Sequence, residues 1–267
     1  MRPHPSAMTI AGSDSGGGAG IQADLKTFSA LGVYGTSALT AITAQNTRGV
    51  FAIEAVSPAV VSAQIAAVLA DIPPQAIKIG MLASPEIVAA VAAALRDYAG
   101  PVVLDPVMVA KSGDALLAKE AETALIEALL PRADVLTPNL PEAARLLGRD
   151  AARDIQETEA QGRALLALGA RAVVMKGGHA EGPSCIDLLV TPSGVMAMKQ
   201  PRLSTGNTHG TGCSLSSAIA AELAKEADLP DAVRRAQEWL HGAIRAADGL
   251  GIGGGHGPVH HFHEVWR

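Results

Sequence analysis

The sequence is poor in cysteine, in aromatic rings and in clustered positive charge. Only two cysteines, Cys185 and Cys213, occur in 267 residues. They allow a single bridge at most, and a chain of this size without an export signal ordinarily keeps its thiols reduced. The aromatic residues number two Trp, two Tyr and three Phe, and the net charge is −5 with no run of Lys or Arg. That balance argues against a nucleic-acid surface. Apolar stretches such as Ile87 to Leu95 fall short of the roughly 20 residues needed to span a bilayer. The opening MRPHPSAMTIAG has no long apolar segment of the secretory kind. A cytoplasmic protein without membrane or nucleic-acid partners is expected. No Gly-Lys dipeptide is present, which excludes the P-loop as the nucleotide-holding device.

What is present is a regular alternation. Hydrophobic residues make up 48% of the chain, and β-rich runs (AMTIAG, AIKIGML, PVVLDPVMV, ADVLTPN, RAVVMKGG) are interleaved with helical stretches. The first helix is predicted near Ile21 to Leu31, another over SPEIVAAVAAAL. Strands apolar on both faces point to a parallel sheet covered by helices on either side, an α/β layered sandwich. Leu215, Ile219 and Leu223, then Val233, Ala236, Leu240 and Ile244, recur at helical spacing and predict two late helices. SCIDLLVTPSGVMAMK reads as a hairpin turning at Pro192-Ser193-Gly194. With no repeat or linker, one domain spanning residues 1–267 is expected.

Ligands of such sheets sit beyond the carboxyl ends of the strands. There the sequence places Gly12-Ser13-Asp14, Gly80-Met81, Asp105-Pro106, Asn139 and Lys176-Gly177-Gly178. The stretch NTHGTGC, Asn207 to Cys213, opens a helix on a glycine turn. Such a start could cradle an anion, or could be a plain turn capped by Thr211 or Ser214. Cys213 at that start is expected to have a lowered pKa and to be partly thiolate near neutral pH; the structural alternative is a small apolar residue packed under the turn. Asp24 lies between Ile21 and Phe28 at helical spacing and should flank a core edge. Asn139 with Glu142 three residues on makes a capping-box pattern.

Taken in order, TIAGSDSGGGAGIQADLKTFSALGVYGTSALTAITAQNTRGV, DPVMV, LTPNLPEA, VVMKGGH, NTHGTGCSLSSAIAA and GHGPVHHFHEVW resemble the bacterial hydroxymethylpyrimidine/phosphomethylpyrimidine kinases of thiamine biosynthesis. The resemblance implies a ribokinase-like three-layer α/β/α sandwich with a mostly parallel central sheet. It implies transfer of the ATP γ-phosphate to 4-amino-5-hydroxymethyl-2-methylpyrimidine, then to its monophosphate. The related activity would be pyridoxal kinase; a non-catalytic pyrimidine-binding module is the reading from another class.

Carried over residue by residue, Cys213 matches the general base, with Gly210, Thr211 and Gly212 as the anion hole. Gln45, Asp24, Met81, Val107 and Gly12 match the pyrimidine-binding positions. Lys176, Asn139, Asp105 and Thr208 would face ATP, and Glu142 with Asp105 would serve Mg²⁺, Glu142 through water. A homodimer is implied. Without the resemblance, Gln45 would read as a solvent-facing strand-end residue, Met81 and Val107 as core, and Lys176 as a solvated lysine. Gly16 stands where the family usually has serine, and Ser214 where threonine is common. The tail histidines His256, His260, His261 and His263 match no standard zinc spacing.

Overall fold

The computed structural model of the chain describes residues 4–108 and 119–266. Val109, the last residue of DPVMV, lies outside them. Eight strands form one sheet in the order β10-β9-β8-β7-β6-β5-β1-β2. β1 (Ser6–Ala11), β2 (Tyr34–Leu39), β5 (Ala76–Ile79), β6 (Val102–Leu104), β7 (Val135–Leu136) and β8 (Val173–Met175) run parallel, while β9 (Ser184–Thr191) and β10 (Gly194–Pro201) close one edge as an antiparallel hairpin. A second, two-stranded sheet, β3 (Ala41–Asn46) with β4 (Gly49–Ala55), stands apart.

The period-2 alternation of the strands assigns each side chain to a layer. Met8, Ile10, Ile77, Ile79, Leu104 and Val173 join one core with α2 (Pro58–Asp71), α3 (Pro85–Ala94), α5 (Leu140–Leu147) and α6 (Ile155–Ala167). Their neighbours Ala7, Ala76, Val103, Val135 and Val174 join the opposite core with α1 (Gly20–Ala30), α7 (Thr211–Ala224) and α8 (Leu229–Arg245). α4 (Lys119–Ala124) runs on through Leu125–Leu129 into the first core. Each Leu or Ile buried this way contributes roughly 1.5–3 kcal/mol. The result is the expected three-layer sandwich. The predicted late helices are α7 and α8, and the predicted hairpin is β9–β10. β2 and the β3–β4 hairpin carry no matching expectation, because their apolar residues Tyr34, Ile42, Phe51 and Ile53 point outward.

The helix starts differ in a way that positions the site. Ser57, Ser84, Asn139, Asp154 and Asp228 each cap a helix with a side-chain acceptor, and Asn139 and Glu142 complete a reciprocal box. α1 starts at Ala19 and α7 at Gly210 with no side-chain cap. Both of these helix starts lie over the carboxyl edge of the parallel strands, against one cavity. No helix among the described residues is long and apolar enough to cross a membrane.

Candidate active site

Register brings the strand ends level. Ile10 pairs with Ile79, Ile79 with Leu104, Leu104 with Leu136 and Leu136 with Val173. A further bridge joins Asn139 to Lys176. The residues just past these pairs therefore converge on a cavity of about 490 Å³. Gly12, Gln45, Met81, Val107, Asp105, Asn139, Glu142, Lys176 and Thr208 all line it. Gly210, Thr211, Gly212 and Cys213, at the start of α7, form part of its wall. A second cavity of about 260 Å³ lies beyond that wall and shares Asn139, Lys176, Thr208, Thr211 and Gly212.

The start of α7 has the chemistry that suits an anion. An α-helix leaves its first N–H groups without intrahelical partners and carries partial positive charge there. Neither Thr211 nor Ser214 caps α7; Ser214 Oγ is held instead by His261 Nε2 at 3.0 Å. Gly210 adopts a left-handed φ of 79°, and a Cβ there would run into the Gly18 carbonyl, so the two glycine loops touch backbone to backbone. At Gly212 a Cβ would lie 3.2 Å from Lys176 Nζ and 3.5 Å from Asp105 Oδ2. The missing side chain leaves the cradle open toward that charged cluster.

In the cluster, Lys176 Nζ donates to Asp105 Oδ1 at 2.8 Å and lies 3.7 Å from Glu142 Oε2. Asp105 also accepts from Thr137 Oγ1 at 3.2 Å. Burial works against the Lys176 ammonium, but the two carboxylates outweigh it and hold the lysine above its ordinary pKa. Glu142 is pushed up by burial, with Lys176 pulling the other way. Among the described residues no group of three or more His, Cys, Asp or Glu could hold a metal ion. Two hard carboxylates, Asp105 and Glu142, suit Mg²⁺, which keeps several water and phosphate ligands of its own.

Two expectations need correction. Asp24 does not reach the cavity: it is fully buried beneath the floor, where Lys78 Nζ donates to both its oxygens at 2.9 and 2.8 Å and Ser217 and Thr9 add hydroxyl donors at 2.6 Å each. The helical stripe placed Asp24 at a core edge, but a buried lysine across from it drew it inward. Cys213 is not a low-pKa thiolate. Burial pushes its thiol up to about 11, against the pull of Lys78 and of the Gly20 N–H, so desolvation outweighs the helix end.

The lysine itself went unnoticed in the sequence. Lys78 lines the cavity floor with no exposure, and Asp24 holds its ammonium above the ordinary value despite burial. Its signal is a single charge at an inward position of the otherwise apolar AIKI. Asp14 and His209 were missed as a pair. Asp14 Oδ2 meets His209 Nε2 at 2.8 Å and also accepts from the Gly18 and Ala19 amides at 3.1 and 2.8 Å, with Oδ1 accepting from Gly16 at 2.8 Å. Burial raises the Asp14 carboxyl, yet these donors hold it below its usual value.

Comparison with known proteins agrees with this geometry. A family model described as phosphomethylpyrimidine kinase matches residues 14–260. A hydroxymethylpyrimidine/phosphomethylpyrimidine kinase of Rhizobium meliloti is 57% identical over 261 residues, 98% of each chain. The Escherichia coli protein of the same name is 52% identical over 262 residues, again 98% of each. Among solved structures, the pyridoxal kinase of Bacillus subtilis in its ADP complex superposes with a TM-score of 0.91 at 36% identity, covering 99% of this chain and 100% of that one. A phosphomethylpyrimidine kinase from Clostridium difficile gives 0.80 at 45% identity, covering 90% and 99%. The fold is ribokinase-like, and the chain belongs to the phosphomethylpyrimidine kinase family.

Proposed function

We propose that this protein is an ATP-dependent kinase that phosphorylates 4-amino-5-hydroxymethyl-2-methylpyrimidine and then its monophosphate to the pyrophosphate, in thiamine biosynthesis. The observation that carries this reading is the uncapped start of α7, set between two cavities and opened toward Lys176 and Asp105 at Gly212. In this reading the pyrimidine occupies the larger cavity, against Gly12, Gln45, Met81 and Val107, and the nucleotide the smaller one. The backbone amides of residues 210–212 meet the charge that develops on the transferring group. Lys176, Asn139 and Thr208 face the phosphates.

Asp105 and Glu142 would hold Mg²⁺, Glu142 through water. When bound, it would neutralise phosphate charge. A loose transition state asks for little early proton abstraction. The hydroxymethyl proton therefore leaves late, and Cys213, which lines the cavity as a neutral thiol, would steady the reacting hydroxyl without acting as a strong base. The chain acts as one domain. Both cysteines are free thiols, in keeping with a cytoplasmic protein. A homodimer would cover the outward face of the β3–β4 hairpin, where Ile42 is 54% and Phe51 69% exposed.

The test is ADP production by the purified protein with Mg-ATP and, separately, the hydroxymethylpyrimidine, its monophosphate and pyridoxal, beside a Cys213→Ala variant. Turnover of both pyrimidines that collapses in the variant supports the proposal. Turnover of pyridoxal alone assigns the protein to vitamin B6 salvage. Ligand-induced stabilisation without ADP from any of the three leaves a binding module.

A further inference from the structure

Thr43 sits two residues before Gln45 on β3 and is 5% exposed. Its hydroxyl has one proton to give. Oγ1 lies 2.8 Å from the Ser13 carbonyl oxygen, an atom that can only accept, so the proton goes there. The position of Gln45 Oε1 lies 3.2 Å from the same Oγ1. With the proton committed to Ser13, a carbonyl oxygen in that position would set lone pair against lone pair. The amide nitrogen, which has the same shape, would donate. Hydrogen-bond balance therefore turns the Gln45 side chain so that its nitrogen faces Thr43.

The surrounding backbone leaves little freedom to avoid this choice. Ser13 N donates to Ala41 O at 2.8 Å, and Gln45 N donates to Ser15 Oγ at 2.7 Å while that hydroxyl returns a bond to Gln45 O at 2.8 Å. A register shift between Ala44 and Gln45 fixes the local twist of the strand.

We propose that Thr43 sets the polarity of the Gln45 amide and thereby makes the pocket select 4-amino over 4-oxo pyrimidines. This rests on the reading that the acceptor substrate is a hydroxymethylpyrimidine bound against Gln45. One amide N–H is tied to Thr43. The other N–H and the carbonyl oxygen form an edge with its donor toward Thr43 and its acceptor at the far end. A 4-aminopyrimidine presents the complement, a bare ring nitrogen beside an amino donor. The 4-oxo counterpart, the product of hydrolytic deamination, presents N–H beside C=O in its lactam form and meets like with like at both atoms. Thr43 is thus a positioning residue whose effect is read in substrate choice.

The experiment compares kcat/KM for the 4-amino substrate and its 4-oxo counterpart in the wild type, Thr43→Val and Thr43→Ser, with thermal unfolding as a check on folding. A polar mismatch of this kind is expected to give a wild-type preference of at least about 100-fold. Valine keeps the shape, removes the hydroxyl and frees the amide to turn, so the preference should fall at least about tenfold. Serine, which keeps the hydroxyl, should retain it. A Thr43→Val preference equal to the wild type overturns the proposal, as does a Thr43→Ser preference lowered as far as that of valine. Failure of the wild type to phosphorylate either pyrimidine overturns the proposed function, and this inference with it.

Discussion

Asp14 Oδ2 and His209 Nε2, 195 positions apart in sequence, lie 2.8 Å from each other and join the two glycine loops that face the active-site cavity. Replacing Asp14 with Ala would leave the His209 ring and the Gly16, Gly18 and Ala19 amides without their acceptor. The Gly18 amide and the His209 ring are buried, and an unmet buried donor costs about 1–3 kcal/mol, so a loss of that order is expected in denaturant titrations, with a fall in kcat/KM as the loops separate. Because Asp14 is held below its ordinary value of 3.8, its contribution is present above that pH and lost as pH falls through its lowered value. The acid limb of the wild-type stability profile should therefore shrink in Asp14→Asn.

Gly212→Ala separates catalysis from stability. Alanine favours a helix over glycine by up to about 1 kcal/mol, offset here by a close 3.2 Å approach to Lys176 Nζ, so the melting temperature should change little. Its methyl group would point at Lys176 Nζ and Asp105 Oδ2, in the opening of the anion cradle. A fall in kcat of about 100- to 1,000-fold is expected. Unchanged turnover would show that phosphoryl transfer happens elsewhere.

Cys213 should be a slow thiol. With its pKa pushed up to about 11, alkylation by iodoacetamide at neutral pH is expected to be far slower than for a free cysteine, rising about tenfold per pH unit into the alkaline range. Cys185, pushed to about 11 by its own burial, offers an internal comparison. Rapid alkylation of Cys213 at neutral pH would restore the thiolate that the helix start alone suggests.

Lys78→Met should be severely destabilising, because it strands the Asp24 carboxylate with no exposure and no cation. Breaking a buried pair this way costs about 3–5 kcal/mol. The double variant Asp24→Asn with Lys78→Met should regain much of that loss in urea unfolding, and equal stability of the single and double variants would argue that the pair is not coupled.

The sequence made the layered sheet legible because strands such as VVL and VVM are apolar on both faces, and because Asn139, Lys176 and the 207–213 turn fall at strand or helix ends. The β3–β4 hairpin was not legible: Ile42, Phe51 and Ile53 face outward, which inverts the usual inward apolar pattern. Asp24 was misplaced because helical spacing fixes the direction of a side chain and says nothing of what lies opposite, here Lys78 from a strand 54 positions away. The thiol of Cys213 was misjudged because the local field of a helix end is visible in sequence and desolvation is not. The polarity of Gln45 depends on the proton of Thr43 being committed to Ser13, a relation set by β3 lying against the loop after β1.

The 207–213 turn is also tied to residues 256–259. His209 N donates to Gly257 O, Val259 N to His209 O, Gly257 N to Asn207 Oδ1, and His256 N to Thr47 O on the turn between β3 and β4. During synthesis every strand of the sheet leaves the ribosome before residues 256–259 do. A nascent chain can thus assemble its sheet while the 207–213 turn still lacks the backbone partners that hold it, so the scaffold forms first and this turn is fixed last.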